Sequence, residues 1–143
     1  MNVQADIFGR LQAGGVKPSM QRIAVMEYLM THCIHPTVDK IYSDLAPAMP
    51  TLSKTTVYNT LKLLSDRGII RTISIDGKNL RYDADISRHA HFRCKRCGNV
   101  YDLQVEGLDK VKVNNAAHLL FTECQLYYNG FCEKCKNIRD SIN

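Results

Sequence analysis

The sequence predicts an α+β protein of two modules: helices followed by a β-hairpin, and then a C-terminal α/β module. Three observations support this prediction. Helical periodicity dominates up to Gly68, strand-like periodicity follows it, and two Cys-x-x-Cys pairs mark the second half. A chain of 143 residues can hold two small modules, but a module of that size buries little core unless something staples it.

Composition gives a weak indication of the partner and the compartment. The 19 Lys and Arg against 14 Asp and Glu give a net charge of +5, which favours a polyanion without identifying one. No apolar run approaches the ~20 residues that a bilayer span requires. The first ten residues lack the basic end and apolar stretch of a signal peptide. We therefore expect a cytoplasmic protein without a membrane partner.

Four amphipathic helices account for most of the first module. Their apolar residues recur three and four positions apart, and a Ser or Thr side chain is placed to cap the first N–H groups of the second, third and fourth helices. Glycine or proline stands where three of them should stop. We predict helices from Val3 to Leu11, from Ser19 to Thr31, from Thr37 to Pro47 and from Ser53 to Gly68.

A β-hairpin should follow the fourth helix. The β-prone runs Ile69–Ile73 and Leu80–Tyr82 flank Asp76-Gly77, and Gly accepts the positive φ of a tight turn. Helix, helix, turn, helix and hairpin is the order of a winged helix. We predict this domain over residues 1–83.

Residues 84–143 are predicted to form the second domain, with a joint near residues 83–88. Strand and helix patterns alternate in this half, which indicates an α/β module. The strand candidates are His91–Arg93, Val100–Leu103 and Gln125–Tyr128, and the helix candidates are Leu108–Leu119 and the residues after Cys132.

Four cysteines form the strongest chemical signal. The pairs Cys94 and Cys97, and Cys132 and Cys135, can place four thiolates around one tetrahedral Zn²⁺. Four protein ligands leave no open position, so this zinc would be structural. The alternatives are two unrelated buried pairs or a dithiol redox centre.

One face of the fourth helix suits DNA. Asn can pair with adenine, Tyr and Thr can contact thymine methyl groups, and Lys neutralises phosphate. The alternative is an ordinary solvated helix surface. The apolar face consists of Val57, Leu61 and Leu64, and the opposite polar face of Thr55, Tyr58, Asn59 and Lys62.

Imidazole and carboxylate groups form a third candidate site. A strand would point His89 and His91 to one side, and Asp102 lies in the next strand candidate. With His35 and Asp83 these groups would suit Fe²⁺, Mn²⁺ or Zn²⁺. The spacing alone leaves metal binding open.

Five segments form a specific combination of motifs: His35–Tyr42, Thr55–Leu61, His89–Cys94, Cys97-Gly98 and Gly130–Cys135. In this combination the chain resembles the ferric uptake regulator family, and the resemblance extends from about Gly15 to Cys135. The resemblance implies a homodimeric repressor that binds double-stranded DNA at an inverted repeat and carries structural Zn²⁺.

Within the family, the chain is most similar to the peroxide-responsive repressors. Their three-histidine, two-aspartate regulatory site maps onto His35, Asp83, His89, His91 and Asp102. The resemblance implies Fe²⁺ or Mn²⁺ there, and conversion of His35 or His89 to 2-oxo-histidine when the iron form meets peroxide. An iron- or zinc-responsive uptake repressor is the alternative.

Cys124 departs from the family pattern, because many members carry a histidine in that strand. We therefore expect their extra metal site to be missing, with Cys124 either a lone buried thiol or a replacement ligand.

The sequence disfavours two functions other than DNA-binding regulation. A zinc deaminase needs His-x-Glu and a proline before Cys-x-x-Cys, and the chain has neither. An interaction module without DNA contact would leave the winged helix unexplained.

Overall fold

The computed structural model describes residues 2–138, which divide into two compact units. The first unit ends at Ile86 and the second begins at Ser87. Each unit contains its own β-sheet, and within the described range the α-helices all belong to the first. No helix in the described part of the chain is both long and apolar enough to cross a bilayer.

Side-chain caps start the four helices of the first unit. Ser53 Oγ accepts the Thr56 N–H at 3.0 Å, and Thr37 Oγ1 accepts the Lys40 N–H at 3.3 Å. These contacts satisfy N–H groups that the first helical turn leaves without partners. The predicted helices are confirmed as α1 Val3–Ala13, α2 Met20–Thr31, α3 Val38–Leu45 and α4 Lys54–Asp66, with a 3-10 turn at Ala46–Ala48.

The apolar faces of these helices meet in one core. Val57, Leu61 and Leu64 of α4 are fully buried. Burial of a side chain of this size stabilises by about 1.5–3 kcal/mol, so these three residues fix the rotation of α4 about its axis. The fully buried partners from the other helices are Ile7, Leu11, Val25, Met26 and Ile41.

The predicted hairpin is present, with shorter strands and a longer turn. β1 Arg71–Ile73 pairs antiparallel with β2 Arg81–Asp83, and residues 74–80 connect them. Ile69 and Ile70 lie outside the strand because they pack into the helical core instead. The winged-helix order of elements is confirmed.

The second unit is built on a three-stranded sheet of order β4-β3-β5. Its strands are β3 Ala90–Cys94, β4 Val100–Leu103 and β5 Tyr127–Gly130. β3 pairs antiparallel with β4 and parallel with β5. The predicted strands are confirmed, although the last begins at Tyr127 rather than at Gln125.

The predicted helix at Leu108–Leu119 is wrong. Only Leu108–Lys110 form a 3-10 turn, and Asn115 has a φ of 58°, which interrupts a right-handed helix. Amphipathic helices depend on a surface that covers their apolar face, and Val111 and Leu119 are exposed.

The helix predicted after Cys132 is also absent from the described residues. The chain there forms a turn and a 3-10 segment at 136–138, and the rest of that prediction lies outside the described range. The prediction of Cys124 as a buried thiol is wrong as well, because Cys124 is exposed.

Candidate metal centres and nucleic-acid interface

The four cysteines converge at one end of the second sheet. β3 ends at Cys94 and β5 ends opposite it at Gly130, so the turn with Cys97 and the turn with Cys132 and Cys135 leave the same edge. The four Sγ atoms all lie within 4.8 Å of one another, and Cys97 Sγ is 3.8 Å from Cys132 Sγ. Sulfurs at ~2.3 Å from a tetrahedral zinc would be about 3.8 Å apart, so the spacing fits zinc.

Backbone N–H groups stabilise thiolate at this centre. Burial acts to raise the pKa of Cys94, but N–H donors led by those of Cys132 and Cys97 lower that pKa to about 6. These two groups donate to Cys94 Sγ at 3.4 and 3.5 Å. Burial and the neighbouring sulfurs raise the pKa of Cys135 to about 12. Four sulfurs this close can all be thiolates only when a cation balances their charge. A donor set made of sulfur alone suits a cation that prefers soft ligands.

His89, His91 and Asp102 form a second donor group in the same unit. His91 lies directly opposite Asp102 in the β3–β4 register. Asp102 Oδ1 is 3.2 Å from His89 Nε2 and 3.3 Å from His91 Nε2. His89 Nδ1 lies 2.8 Å from the Ser87 carbonyl oxygen, which favours the tautomer with its proton on Nδ1 and presents Nε2 as a ligand atom.

His35 and Asp83 form a third donor group in the first unit. His35 is buried in the α2–α3 loop, and Asp83 is the last residue of β2. His35 Nε2 lies 3.4 Å from Asp83 Oδ2. The donors of this group and of the previous one are imidazole nitrogens and carboxylate oxygens. Such donors fit Fe²⁺ or Mn²⁺ better than they fit a thiolate-preferring ion.

The polar face of α4 is open to solvent. Thr55, Tyr58, Asn59 and Lys62 are all exposed, on the side away from the core. Lys62 Nζ lies 2.9 Å from Asp66 Oδ2, and this contact raises the pKa of Lys62. The face therefore combines an amide, a phenol and a cation that stays protonated.

A cleft beside this face adds cations that the sequence reading missed. It has a volume of about 500 Å³ and lies between the start of α2 and α4, with Asn59, Lys17 and Arg22 among its lining residues. Arg22 Nη1 donates to the Lys17 carbonyl oxygen at 2.7 Å. The sequence did contain a signal for these cations, because Lys17 and Arg22 lie on either side of Ser19, the residue that caps the start of α2. Their proximity to Asn59 required the tertiary fold.

Comparison with known proteins agrees on one family. The sequence profile of the ferric uptake regulator family matches residues 13–129. The peroxide-responsive repressor PerR of Staphylococcus epidermidis is 33% identical over 128 residues, covering 88% of this chain and 85% of that protein. The PerR structure from Streptococcus pyogenes has 28% identity and a TM-score of 0.54, covering 94% of each chain.

A further solved structure supports the fold alone. The ferric uptake regulator of Vibrio cholerae aligns with a TM-score of 0.68 at 24% identity, covering 87% of this chain and 98% of that one.

Proposed function

The chain belongs to the ferric uptake regulator family, and from that premise we propose that this metal-responsive transcriptional repressor acts in response to hydrogen peroxide. Family membership makes it a transcription regulator and not an enzyme. The observation that supports the finer assignment is the donor chemistry of His35, Asp83, His89, His91 and Asp102, which contains imidazoles and aspartates only. Similarity to peroxide-responsive repressors over most of the chain supports the same assignment.

Cys94, Cys97, Cys132 and Cys135 are proposed to hold a structural Zn²⁺. The sulfur spacing fits a tetrahedral ion, and four protein ligands leave no position for a substrate. We place the protein in the cytoplasm, where thiols of this kind remain reduced.

The five imidazole and carboxylate groups are proposed to bind one regulatory ion, Fe²⁺ or Mn²⁺. His35 and Asp83 come from the first unit, and His89, His91 and Asp102 come from the second. A ligand set drawn from both units would favour one arrangement of the units over others. Metal then promotes DNA binding if that arrangement binds DNA more tightly, which is the thermodynamic requirement for such a switch.

Oxidation of a ligand would release the switch. When bound, Fe²⁺ would supply the redox catalysis that activates hydrogen peroxide, whereas Mn²⁺ would not. In the net step, the imidazole of His35 or His89 would lose two electrons and gain one oxygen atom from peroxide, and the peroxide would be reduced to one molecule of water, with no net change in the oxidation state of the iron. The resulting 2-oxo-histidine is a poor ligand, so the regulatory ion and the DNA affinity are lost.

The DNA partner is proposed to be an inverted repeat bound by a homodimer, with one α4 helix in the major groove of each half-site. Thr55, Tyr58, Asn59 and Lys62 would face the bases and phosphates.

The dimer interface is proposed to lie in the second unit. Exposed apolar residues are concentrated there between residues 111 and 121, and we propose that a second copy of the chain packs against them. The large exposed apolar residues of this segment are Val111, Val113, Leu119, Leu120 and Phe121.

Peptide mass spectrometry tests the peroxide assignment. Iron-loaded and manganese-loaded protein are exposed to low peroxide, and each histidine peptide is searched for one added oxygen atom. We expect the addition at His35 or His89 in the iron form only, together with loss of operator binding. His32 is the internal control, because it is exposed and lies outside the donor groups.

The alternative is an uptake repressor that senses iron or zinc supply. Unmodified His35 and His89 with intact operator binding after peroxide would favour it over the peroxide sensor.

A further inference from the structure

Three consecutive residues of β2 contact the loop that carries His35. Arg81 Nη1 donates to the His35 carbonyl oxygen at 3.1 Å. The Tyr82 backbone N–H donates to the Pro36 carbonyl oxygen at 3.1 Å. Asp83 meets the His35 imidazole at 3.4 Å. Because side chains alternate along a strand, Arg81 and Asp83 lie on the same side of β2. The strand therefore holds both the backbone and the ring of His35.

The backbone of His35 is in a conformation that requires such support. Its φ is 54°, in the left-handed region that residues with a Cβ adopt at a cost in energy. A loop residue in this region persists when surrounding contacts over-determine it. The carbonyl contact from Arg81 acts on this peptide directly, and it does not depend on the imidazole that would bind metal.

Asp76, in the loop between β1 and β2, fixes the position of the Arg81 side chain. Asp76 Oδ2 accepts from Arg81 Nε at 3.3 Å, and Oδ1 accepts the N–H groups of Asn79 and Lys78 at 2.9 and 3.1 Å. Burial acts to raise the pKa of Asp76, but these donors lower that pKa overall, so the carboxylate stays charged. The side chains of Arg81 and Asp76 are only 22% and 10% exposed, so solvent screens the pair less than a surface ion pair.

We propose that Arg81 is a positioning residue for His35 and that Asp76 holds Arg81 in the geometry this requires. The inference rests on the proposed role of His35 as a ligand of the regulatory ion. Arg81 uses two different nitrogens for its two partners. A lysine ammonium is a single point of charge on a flexible stem, so it cannot reproduce this planar fork.

The test uses full-length zinc-loaded protein and two measurements. The first is amide hydrogen exchange without regulatory metal, read at the Tyr82 amide. The second is Mn²⁺ affinity by competition with a chelator. The variants are Arg81→Ala, Arg81→Lys and Asp76→Asn. Lys78→Ala is the matched control, because it removes a cation from the same turn and leaves the backbone N–H to Asp76 intact.

We expect Arg81→Ala to speed exchange at Tyr82 and to weaken Mn²⁺ binding about 10-fold or more, the usual effect of losing an outer contact to a ligand. For Arg81→Lys, both the exchange rate at Tyr82 and the Mn²⁺ affinity should lie between those of Arg81→Ala and those of the parent. Asp76→Asn should change both measurements in the same direction, and Lys78→Ala should change neither. Unchanged Mn²⁺ affinity in folded Arg81→Ala would overturn the inference. If that variant does not fold, unchanged affinity in Asp76→Asn overturns it.

His35→Ala separates failure of this inference from failure of the proposed function. If His35→Ala weakens Mn²⁺ binding and Arg81→Ala does not, only the positioning role is lost. If both variants bind Mn²⁺ like the parent, the regulatory assignment of His35 is lost together with it.

Discussion

Removing the four-cysteine metal should unfold the second unit and leave the first intact. Among the described residues, the second unit has five buried apolar residues, and three of them are Cys94, Cys132 and Cys135. The other two are Ala90 and Val100, and a fully buried valine contributes only about 1.5–3 kcal/mol. Structural zinc contributes about 10–16 kcal/mol in small zinc modules, so metal binding would supply most of the stability of this unit.

The first unit should respond differently, because seventeen of its described residues are buried apolar residues and none of these is a cysteine. We therefore expect Cys132→Ser to lose zinc and to lose amide protection in residues 90–94, while residues 57–64 keep theirs. Zinc content by elemental mass spectrometry and amide exchange at 25 °C measure both effects in one preparation.

Two variants of the same chemical type serve as controls for this experiment. Cys33 and Cys124 are exposed and lie outside the four-cysteine group, so Cys33→Ser and Cys124→Ser should retain zinc and protection. A Cys132→Ser variant that keeps one zinc per chain with native exchange in β3 would contradict the structural role of the four-cysteine site. Loss of protection in both units together would contradict the independent stability of the first unit.

Four further substitutions test the polar face of α4, the Lys62–Asp66 ion pair and the Tyr28–Asp44 hydrogen bond. Asn59→Ala should lose about 1–3 kcal/mol on operator DNA and little on random DNA in a binding titration, because an asparagine contact reads a base edge; equal losses on both would contradict this role. Lys62→Ala should weaken both DNAs and lower the salt slope by about one unit, whereas Asp66→Ala, which removes its partner, should leave the slope at least as steep. Tyr28→Phe should lower the thermal midpoint at pH 7, because the Tyr28 hydroxyl lowers the pKa of Asp44 in the folded protein. A lowered pKa contributes stability above the ordinary aspartate value of about 4 and loses it as pH falls through the folded value, so melting curves should converge in acid; a constant difference at all pH values would exclude this cause.

Local signals determined the first unit almost completely. Caps at Ser19, Thr37 and Ser53 and the apolar period fixed where the helices begin and which faces are buried, because both effects act within one or two turns. The period change after Gly68 likewise identified the hairpin. The strand ends were less predictable, since Ile69 and Ile70 are β-prone residues that the helical core buries instead.

Chemistry in the second unit was predictable where spacing alone restricts it. Two Cys-x-x-Cys pairs predicted one cluster of four sulfurs, and strand candidates one after the other put His91 and Asp102 within reach of a common ion. The register that sets His91 directly opposite Asp102 came from the structure. Residue spacing could not show whether Leu108–Leu119 forms a helix. Its apolar period indicated a helix, but Asn115 interrupts it, and an apolar period does not show whether a surface exists to cover it.

The sequence by itself determined the residue types of each candidate site, and the tertiary structure decided which neighbours act on them. Nothing local connects Arg81 and Asp76 with His35, since about forty residues separate the loop from the hairpin. The same holds for Lys17 and Arg22 beside Asn59. Capping and periodicity are short-range and can be read along the chain. Contacts between elements depend on how buried faces pack in three dimensions, which no spacing in the sequence encodes.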